Sequence, residues 1–257
     1  MIGPMIASWV VSNEKAASPR WWKAAKSRRS VPDMYLPTAF ALEDPVEIEA
    51  FMRRHDFATM VGPAGARASG SIGGDPEPDG GRRPAMAASH LPLHLRSTSD
   101  GWVLEGHLAR ANPHWQAMDG TEEFLVVFSG PHGYVSPTWY GTRPAVPTWN
   151  YAVIHAHGKP RVRPDDADFC RRVLGELVRR YEAGPGGWRL EDQPDGFIDK
   201  LLPAIVGFEM SVERVEAKFK LGQNRSAEDR AATVAGLERV AAPEAAALAD
   251  LMRRLAG

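Results

Sequence analysis

The sequence has few of the features that would take it outside the ordinary class of water-soluble proteins. Its single cysteine, Cys170, excludes an intrachain disulfide, and its helical surroundings indicate a small buried thiol in a reducing compartment. No apolar run approaches the ~20 residues of a membrane span, and the first residues lack the apolar core of a signal peptide. The formal net charge of -1 gives no broad surface for nucleic acid. We therefore expect a soluble cytoplasmic protein without a membrane partner.

Signatures of nucleophilic or metal catalysis are also missing. Ser71 lacks the Gly-x-Ser-x-Gly elbow, and one cysteine gives no readable Cys-His arrangement. The 8 histidines include three local pairs, which are His90 with His94, His107 with His114, and His155 with His157. On strands, the first and third pairs would each share a face of a sheet, yet no carboxylate is clustered beside them. The sequence predicts neither a catalytic residue nor a metal site.

Two segments hold too little apolar material to form a core. Residues 1–33 end in the basic run RWWKAAKSRRSVPD, and Met34 begins a more ordinary sequence. We interpret 1–33 as a disordered leader, with a nucleic-acid or membrane arm as the alternative. Residues 62–87 are rich in glycine and charge and predict a long hairpin loop, without the Lys-Ser/Thr of a phosphate loop. The remaining chain, 34–257, has the length of a single domain.

The apolar pattern of the rest predicts strands in the centre and helices around them. Asp44, Pro45 and Glu47 form the N-cap and capping box of a short helix. Further helices follow Asp166 and Ser226, and a last one carries the terminal leucines. Six segments are short, apolar or alternating, and are bounded by turn residues; they are 57–61, 88–95, 102–108, 122–130, 149–162 and 205–221. This pattern indicates a mainly β protein of the α+β class, an antiparallel barrel with peripheral helices.

Polar and aromatic residues are concentrated at the ends of these strands. GHLARANPHW (106–115) offers Arg110 beside a helical turn that begins at Asn112, which is a good seat for a phosphate. VPTWNY (146–151) begins a strand, and KFKLGQNR (218–225) ends one with two lysines. GPHGYVSPTWY (130–140) combines turn residues with closely spaced rings at the end of a strand. Each has an ordinary alternative, such as a surface ion pair for Arg110 or a core position for a tryptophan.

Taken in order, these motifs are similar to those of a known family. MYLPTAF, SHLPL, GHLARANPHW, GPHGYVSPTWY, VPTWNY, IVGFEM and KFKLGQNR resemble the PaiB-like family of FMN-binding negative transcriptional regulators, over about residues 34 to 240. The resemblance implies a split β-barrel of the FMN-binding type. It also implies a homodimer that holds FMN at the subunit interface.

The same resemblance assigns candidate cofactor-binding residues. Near FMN, chiefly at its phosphate end, it implies Ser89, His90, His107, Arg110 and Asn112. Around the ring or the opposing subunit it implies His132, Tyr134, Ser136, Trp149, Asn150, Lys218, Gln223, Asn224 and Arg225. Gly222 departs from the family, which usually has a serine before Gln-Asn-Arg, and the hydroxyl it lacks could alter FMN affinity.

Three functional hypotheses follow from this resemblance. The first is a flavin-binding transcriptional regulator that senses redox or metabolic state and acts on DNA directly or through a regulatory protein. The second is a flavin-dependent oxidoreductase, because the barrel is shared with pyridoxamine-phosphate oxidases and flavin reductases. The third is a barrel that handles haem or metal through its histidines.

Overall fold

The computed structural model of the protein describes residues 34–64 and 86–255. The predicted leader, 1–33, lies outside these residues, as does the segment 65–85 of the predicted hairpin loop. The strands on either side of that loop reach further than the sequence indicated, because their pairing continues to Pro63 and Met86. Within the described part of the chain, no helix is long and apolar enough to cross a membrane.

Within residues 34–64 and 86–255, eight antiparallel strands form one sheet, in the order β2-β1-β5-β6-β8-β4-β3, and β7 also pairs with β8. Their bounds are β1 Phe57–Pro63, β2 Met86–Pro92, β3 His94–Thr98, β4 Gly101–Ala109, β5 Phe124–Val135, β6 Thr148–Gly158, β7 Arg161–Arg163 and β8 Ile205–Lys220. The two outermost strands, β2 and β3, are consecutive in the chain and are separated by Leu93 alone. The sheet therefore curls into a barrel that is split between them, which confirms the predicted fold.

The core lies inside this barrel. Side chains alternate along each strand, and one set points inward. The inward set includes Met60, Val126, Ile154, Phe208 and Met210, each with no exposed surface. The alternation of apolar residues that predicted the strands thus supplies the side chains that fill the core.

Helices cover the ends and one side of the barrel. Their bounds are α1 Pro45–Arg54, α2 Ala167–Tyr181, α3 Phe197–Leu201, α4 Ala227–Arg239 and α5 Pro243–Arg254. Asp44 caps α1 and Ser226 caps α4, each through a side-chain oxygen that accepts a backbone N–H, as the sequence predicted. The ring of Phe51 on α1 lies 4.9 Å from that of Phe219 on β8. Helices α4 and α5 pack on each other and on β5.

Helix α2 builds a second, smaller apolar cluster. Its buried residues Phe169, Cys170, Val173 and Leu177 pack with Leu202 outside the barrel, next to β4 and β8. Cys170 is a free, buried thiol, as its helical context predicted. The burial of this face explains why α2 is strongly amphipathic.

Strand β5 differs from the sequence expectation. The sequence indicated that the chain leaves the sheet near residue 130, but pairing with β6 resumes at His132 and continues to Val135 after an irregularity between Ser129 and His132. A bulge at this place accommodates Pro131, which has no N–H to donate to the ladder. Gly130 is needed beside it, because a Cβ there would lie 2.4 Å from Cζ of Phe51. Most of GPHGYVSPTWY is therefore strand, and the turn follows it.

Candidate functional site

The outer face of the sheet carries most of the exposed rings of the barrel. We call "the outer face" the outward-pointing residues of five strands, which are Phe57, Thr59, Val61, Met86, Ala88, His90, Leu125, Val127, His132, Tyr134, Trp149, Tyr151, Val153, His155, His157, Arg214, Glu216, Lys218 and Lys220. Phe57 is 67% exposed, Met86 66%, Trp149 53% and Tyr134 48%. Large apolar side chains exposed on one face of a sheet indicate a binding surface.

Three predicted site residues form an aromatic group on this face. His132 and Tyr134 on β5 are the cross-strand neighbours of Tyr151 and Trp149 on β6. The ring centroid of Trp149 lies 6.2 Å from that of Tyr134 and 6.3 Å from that of His132. A planar heteroaromatic ligand can stack on exposed rings arranged in this way. Ser136 follows β5, where its Oγ lies 2.7 Å from Oγ1 of Thr138.

Cationic side chains lie next to the aromatic group. Lys218 Nζ donates to the carbonyl of Tyr35 at 2.6 Å and faces the rings of Tyr35 and Tyr151. Lys220 Nζ donates to the carbonyl of Trp149 at 2.7 Å. Burial lowers the pKa of Lys220, and the charges of Lys218 and Arg225 lower it further. An anion bound beside Lys220 would offset the repulsion that Lys220 receives from these two cations. We call Lys218, Lys220 and Arg225 "the cation group".

The turn after β8 is held by its own side chains. Gln223 Oε1 accepts from the N–H of Leu221 at 2.8 Å, and its Nε2 donates to the carbonyl of Phe219. Gly222 has a φ of +82°, a left-handed conformation that favours glycine over serine. Asn150 is buried beneath this turn and donates to Sδ of Met252 at 3.7 Å. Asn224 is exposed at the turn. The departure at position 222 is thus compatible with the backbone.

The residues predicted around the phosphate lie in different surroundings, and only Ser89 and Asn112 are joined by a side-chain hydrogen bond in the described part of the chain. Ser89 and Asn112 are in contact with each other away from the outer face, where Asn112 Nδ2 donates to Ser89 Oγ at 3.1 Å. Ser89 Oγ also lies 2.8 Å from Nδ1 of His114, a residue only 2% exposed. His90, the next residue along β2, lies on the outer face, 3.0 Å from Oγ1 of Thr59.

The other two of these residues lie near α2 and α3. His107 lines an apolar cavity of about 240 Å³ with side chains of α2 and α3, and burial lowers the pKa of its imidazole. Arg110 Nε donates to the carbonyl of Pro203 at 2.7 Å, and its Nη2 donates to Asp165 at 3.0 Å and to the carbonyl of Ile205 at 3.2 Å. The guanidinium of Arg110 therefore already has three acceptors.

Comparisons with known proteins agree with this structure. Residues 34–214 match the family described as "Putative FMN-binding domain". The chain is 32% identical over 220 residues to "Protease synthase and sporulation protein PAI 2" of Bacillus subtilis, covering 85% of this chain and 96% of the relative. The chain belongs to the PaiB-like FMN-binding family.

Two further matches are an uncharacterized protein and a solved structure. An uncharacterized protein of Emericella nidulans, AN0679, is 32% identical over 206 residues, which are 66% of this PaiB-like chain and 82% of the relative. Among solved structures, the flavocytochrome Anf3 of Azotobacter vinelandii superposes with a TM-score of 0.46 and 15% identity, over 75% of each chain.

Sequence reasoning missed Tyr35 and Tyr151 of this PaiB-like protein, which surround Lys218. Lys220 completes the cation group; the sequence showed it at the end of its strand, on the same side as Lys218, but it was not among the predicted cofactor-binding residues. Tyr35 could not be found from the sequence, because its approach to β8 depends on the bridge between Ala41 and Lys218.

Proposed function

We propose that this chain is a homodimeric, FMN-binding regulator, and that FMN binds on the outer face between the two subunits. The observation that carries the proposal is the adjacency of the exposed Trp149 and Tyr134 to the cation group. FMN combines a planar ring system with a phosphate, so it needs both kinds of contact within the length of one molecule. When bound, FMN would supply electron-transfer chemistry, while this chain binds and orients it.

The residues present fit such a ligand. The aromatic group offers ring faces that are half exposed, and Lys220 is fixed by hydrogen bonds to Thr148 and Trp149 on the neighbouring strand. A lysine held in this way loses little side-chain entropy when a phosphate arrives. Arg225 lies 4.5 Å from the ring centroid of Tyr140 and brings a guanidinium to the same end of β8.

The homodimer is supported by the composition of the outer face. Phe57 and Met86 are two-thirds exposed, and the partly exposed Leu125 and Val127 extend the same surface. A second copy of the chain would remove this apolar area from water and would enclose a ligand that the monomer leaves open. Size-exclusion chromatography with light scattering tests this, and the Phe57→Lys variant is expected to shift the dimer toward monomer.

The regulatory role is supported by membership of the PaiB-like family and by the sequence motifs that resemble its regulators. With a net charge of -1, a regulatory protein partner is as compatible with the chain as direct DNA contact. Titration of the purified protein with duplex DNA at low salt separates these two routes. If NADH or NADPH bleaches the bound flavin under anaerobic conditions, the oxidoreductase alternative is supported instead.

The flavin site is tested by comparing FMN with riboflavin, which lacks the phosphate. In Lys220→Ala, we expect FMN to bind about 10- to 100-fold more weakly, because a hydrogen bond to a charged group contributes roughly 1.5–3 kcal/mol, while riboflavin binding changes little. Lys200→Ala on α3 is the matched control, since Lys200 is an exposed lysine remote from the outer face. In Trp149→Ala, both ligands should weaken together. Visible absorbance and fluorescence quenching provide the measurements.

Arg110→Ala distinguishes the two possible seats of the phosphate. The sequence motifs predict that this variant weakens FMN more than riboflavin. The cation group predicts instead that the loss follows Lys220. A selective FMN loss in Arg110→Ala, with none in Lys220→Ala, would move the phosphate to the end of β4 and contradict the site proposed here.

A further inference from the structure

A group of metal-ligating side chains lies on the outer face, further along β6 and β8 than the cation group. His155 is the cross-strand neighbour of Glu216, and His157 is two residues along the same strand. One ligand atom from each of the three side chains lies within 4.8 Å of the others. From the sequence, the two histidines lacked a carboxylate, and the register of β6 with β8 supplies it.

We propose that His155, His157 and Glu216 bind a divalent transition metal ion of the zinc type. Two imidazoles and one carboxylate are a ligand set that suits Zn²⁺ and Fe²⁺ rather than Mg²⁺ or Ca²⁺, which prefer oxygen alone. Three protein ligands leave one position of a tetrahedral site open to water or to an external ligand. The ligands are separate from the aromatic group and the cation group, although they lie on the same outer face that the proposed dimer would cover.

The geometry is close to that of a bound site. With metal–ligand distances of about 2.1 Å, ligand atoms around a tetrahedral ion lie about 3.4 Å apart. His157 Nε2 already lies 3.7 Å from Glu216 Oε2. The side chain of His155 is partly exposed in the single chain, so it can adjust by a change of rotamer.

The surroundings orient the ligands. Nδ1 of His157 lies 3.5 Å from Glu123 Oε1, while Nε2 faces Glu216. A carboxylate behind a ligating histidine favours the proton on the rear nitrogen and directs the lone pair of the front nitrogen at the metal. Arg214 Nη1 holds Glu216 Oε1 at 2.8 Å, and the backbone N–H of Met34 donates to Oε2 at 3.1 Å, so both carboxylate oxygens are held in place while Oε2 faces His157. The charges of Glu123 and Glu216 offset that of Arg214 beside the ion.

The test uses the full chain without an affinity tag, first stripped with chelator and then titrated with ZnCl₂ by calorimetry. The expected result is one Zn²⁺ per chain, with a rise in melting temperature. His155→Ala and Glu216→Gln should weaken binding by at least about tenfold. His90→Ala is the matched control, because His90 is an exposed histidine of the same face outside the group, and it should bind as the wild type does.

Co²⁺ provides a second readout, since its visible absorption reports the ligand set directly. Circular dichroism establishes that each variant is folded, and His155→Ala is the decisive variant because its side chain is the least buried of the three. Absence of saturable binding in the wild type overturns the proposal. So does wild-type affinity in His155→Ala, or an equal loss in His90→Ala. Lys220→Ala should keep its zinc affinity, so a failure of the flavin site leaves this result interpretable.

Discussion

Glu105 points away from the barrel core and connects β4 with β3 and with α2 through ion pairs. Replacing it with glutamine should destabilise the protein markedly. Its carboxylate on β4 is fully buried, and it accepts hydrogen bonds from Arg96 on β3 at 2.8 Å and from Arg172 on α2 at 2.8 and 3.1 Å. Glu105→Gln keeps the shape of the side chain but removes its charge. It also turns an amide NH₂ toward guanidinium donors.

The expected loss follows from the number and kind of these bonds. A hydrogen bond to a charged group contributes roughly 1.5–3 kcal/mol, and the loss of charge weakens all three at Glu105. The two arginines are 41% and 43% exposed, so water can replace part of what they lose. We therefore expect the free energy of unfolding to fall by about 2 kcal/mol. For a domain of this size, this corresponds to a melting temperature lower by roughly 4–8 °C.

The stabilisation by Glu105 should also depend on pH, which gives a second test of the prediction. Burial alone would raise the pKa of Glu105, but the hydrogen bonds from Arg172 and Arg96 outweigh it and hold the pKa below its ordinary value. A depressed folded-state pKa means that the stabilisation is complete above the unfolded pKa. It is lost as pH falls through the folded pKa. The difference between wild type and Glu105→Gln should therefore be largest at neutral pH and should shrink in acid.

The assay is thermal unfolding followed by circular dichroism, at pH 7 and at a pH well below 4. Glu176→Gln on α2 is the matched control, because its ion pair with Arg179 is exposed and should contribute less than about 1 kcal/mol. The reasoning is refuted if Glu105→Gln costs no more than this control. It is equally refuted if the difference persists unchanged in acid.

Three further predictions concern other parts of the molecule. Gly222→Ala should lower the free energy of unfolding by about 1–2 kcal/mol, because residue 222 has a φ of +82°. Gly184→Ala should change it little, because an added Cβ there meets nothing within 4 Å. Chemical denaturation measures both variants. His55 should titrate by NMR with a pKa of about 4, because burial disfavours its charged form. The contribution of His55 to stability should be constant above the unfolded pKa and should decline as pH falls from about 6.5 toward 4. An NMR titration midpoint of His55 near 6.5 would contradict this. Ser89→Ala should lower the free energy of unfolding, measured with denaturant, by about 1–3 kcal/mol, since it leaves the buried Nδ1 of His114 without its partner. An unchanged free energy of unfolding would show that water reaches that imidazole.

Much of the fold could be predicted because it depends on local chemistry. The cap oxygens of Asp44 and Ser226 lie next to the helices they begin, so the sequence shows both partners. The strands were visible in the alternation of side chains, since burial alternates along most of β6 and through the middle of β8. The continuation of β5 past Gly130 escaped, because a bulge makes a strand look like a turn. So did the further pairing of β1 with β2 and the breaks that divide 88–95 and 149–162 into two strands each.

The candidate site was less predictable because it depends on register and on distant partners. The pairing of His155 with Glu216 requires the alignment of β6 with β8, which no local pattern encodes. From the sequence, Arg110 looked available for a phosphate, yet two of its acceptors are backbone carbonyls near residue 204. The residue types in a sequence do not show which backbone carbonyls lie beside a side chain. Ser89 and His90 are adjacent in sequence but point to opposite sides of β2, so a motif that contains both cannot belong to one surface.

The long strand β8 has a consequence for how the protein is made. It pairs with β6 along one half and with β4 along the other, and it supplies Glu216, Lys218 and Lys220. During synthesis from the N-terminus, β4 and β6 are complete well before residue 205 leaves the ribosome, so each then has an edge without its final partner. Unpaired edges of this kind promote association between chains. The nascent chain should therefore depend on chaperones until its last fifth emerges, and both proposed binding sites would be acquired only at that late step.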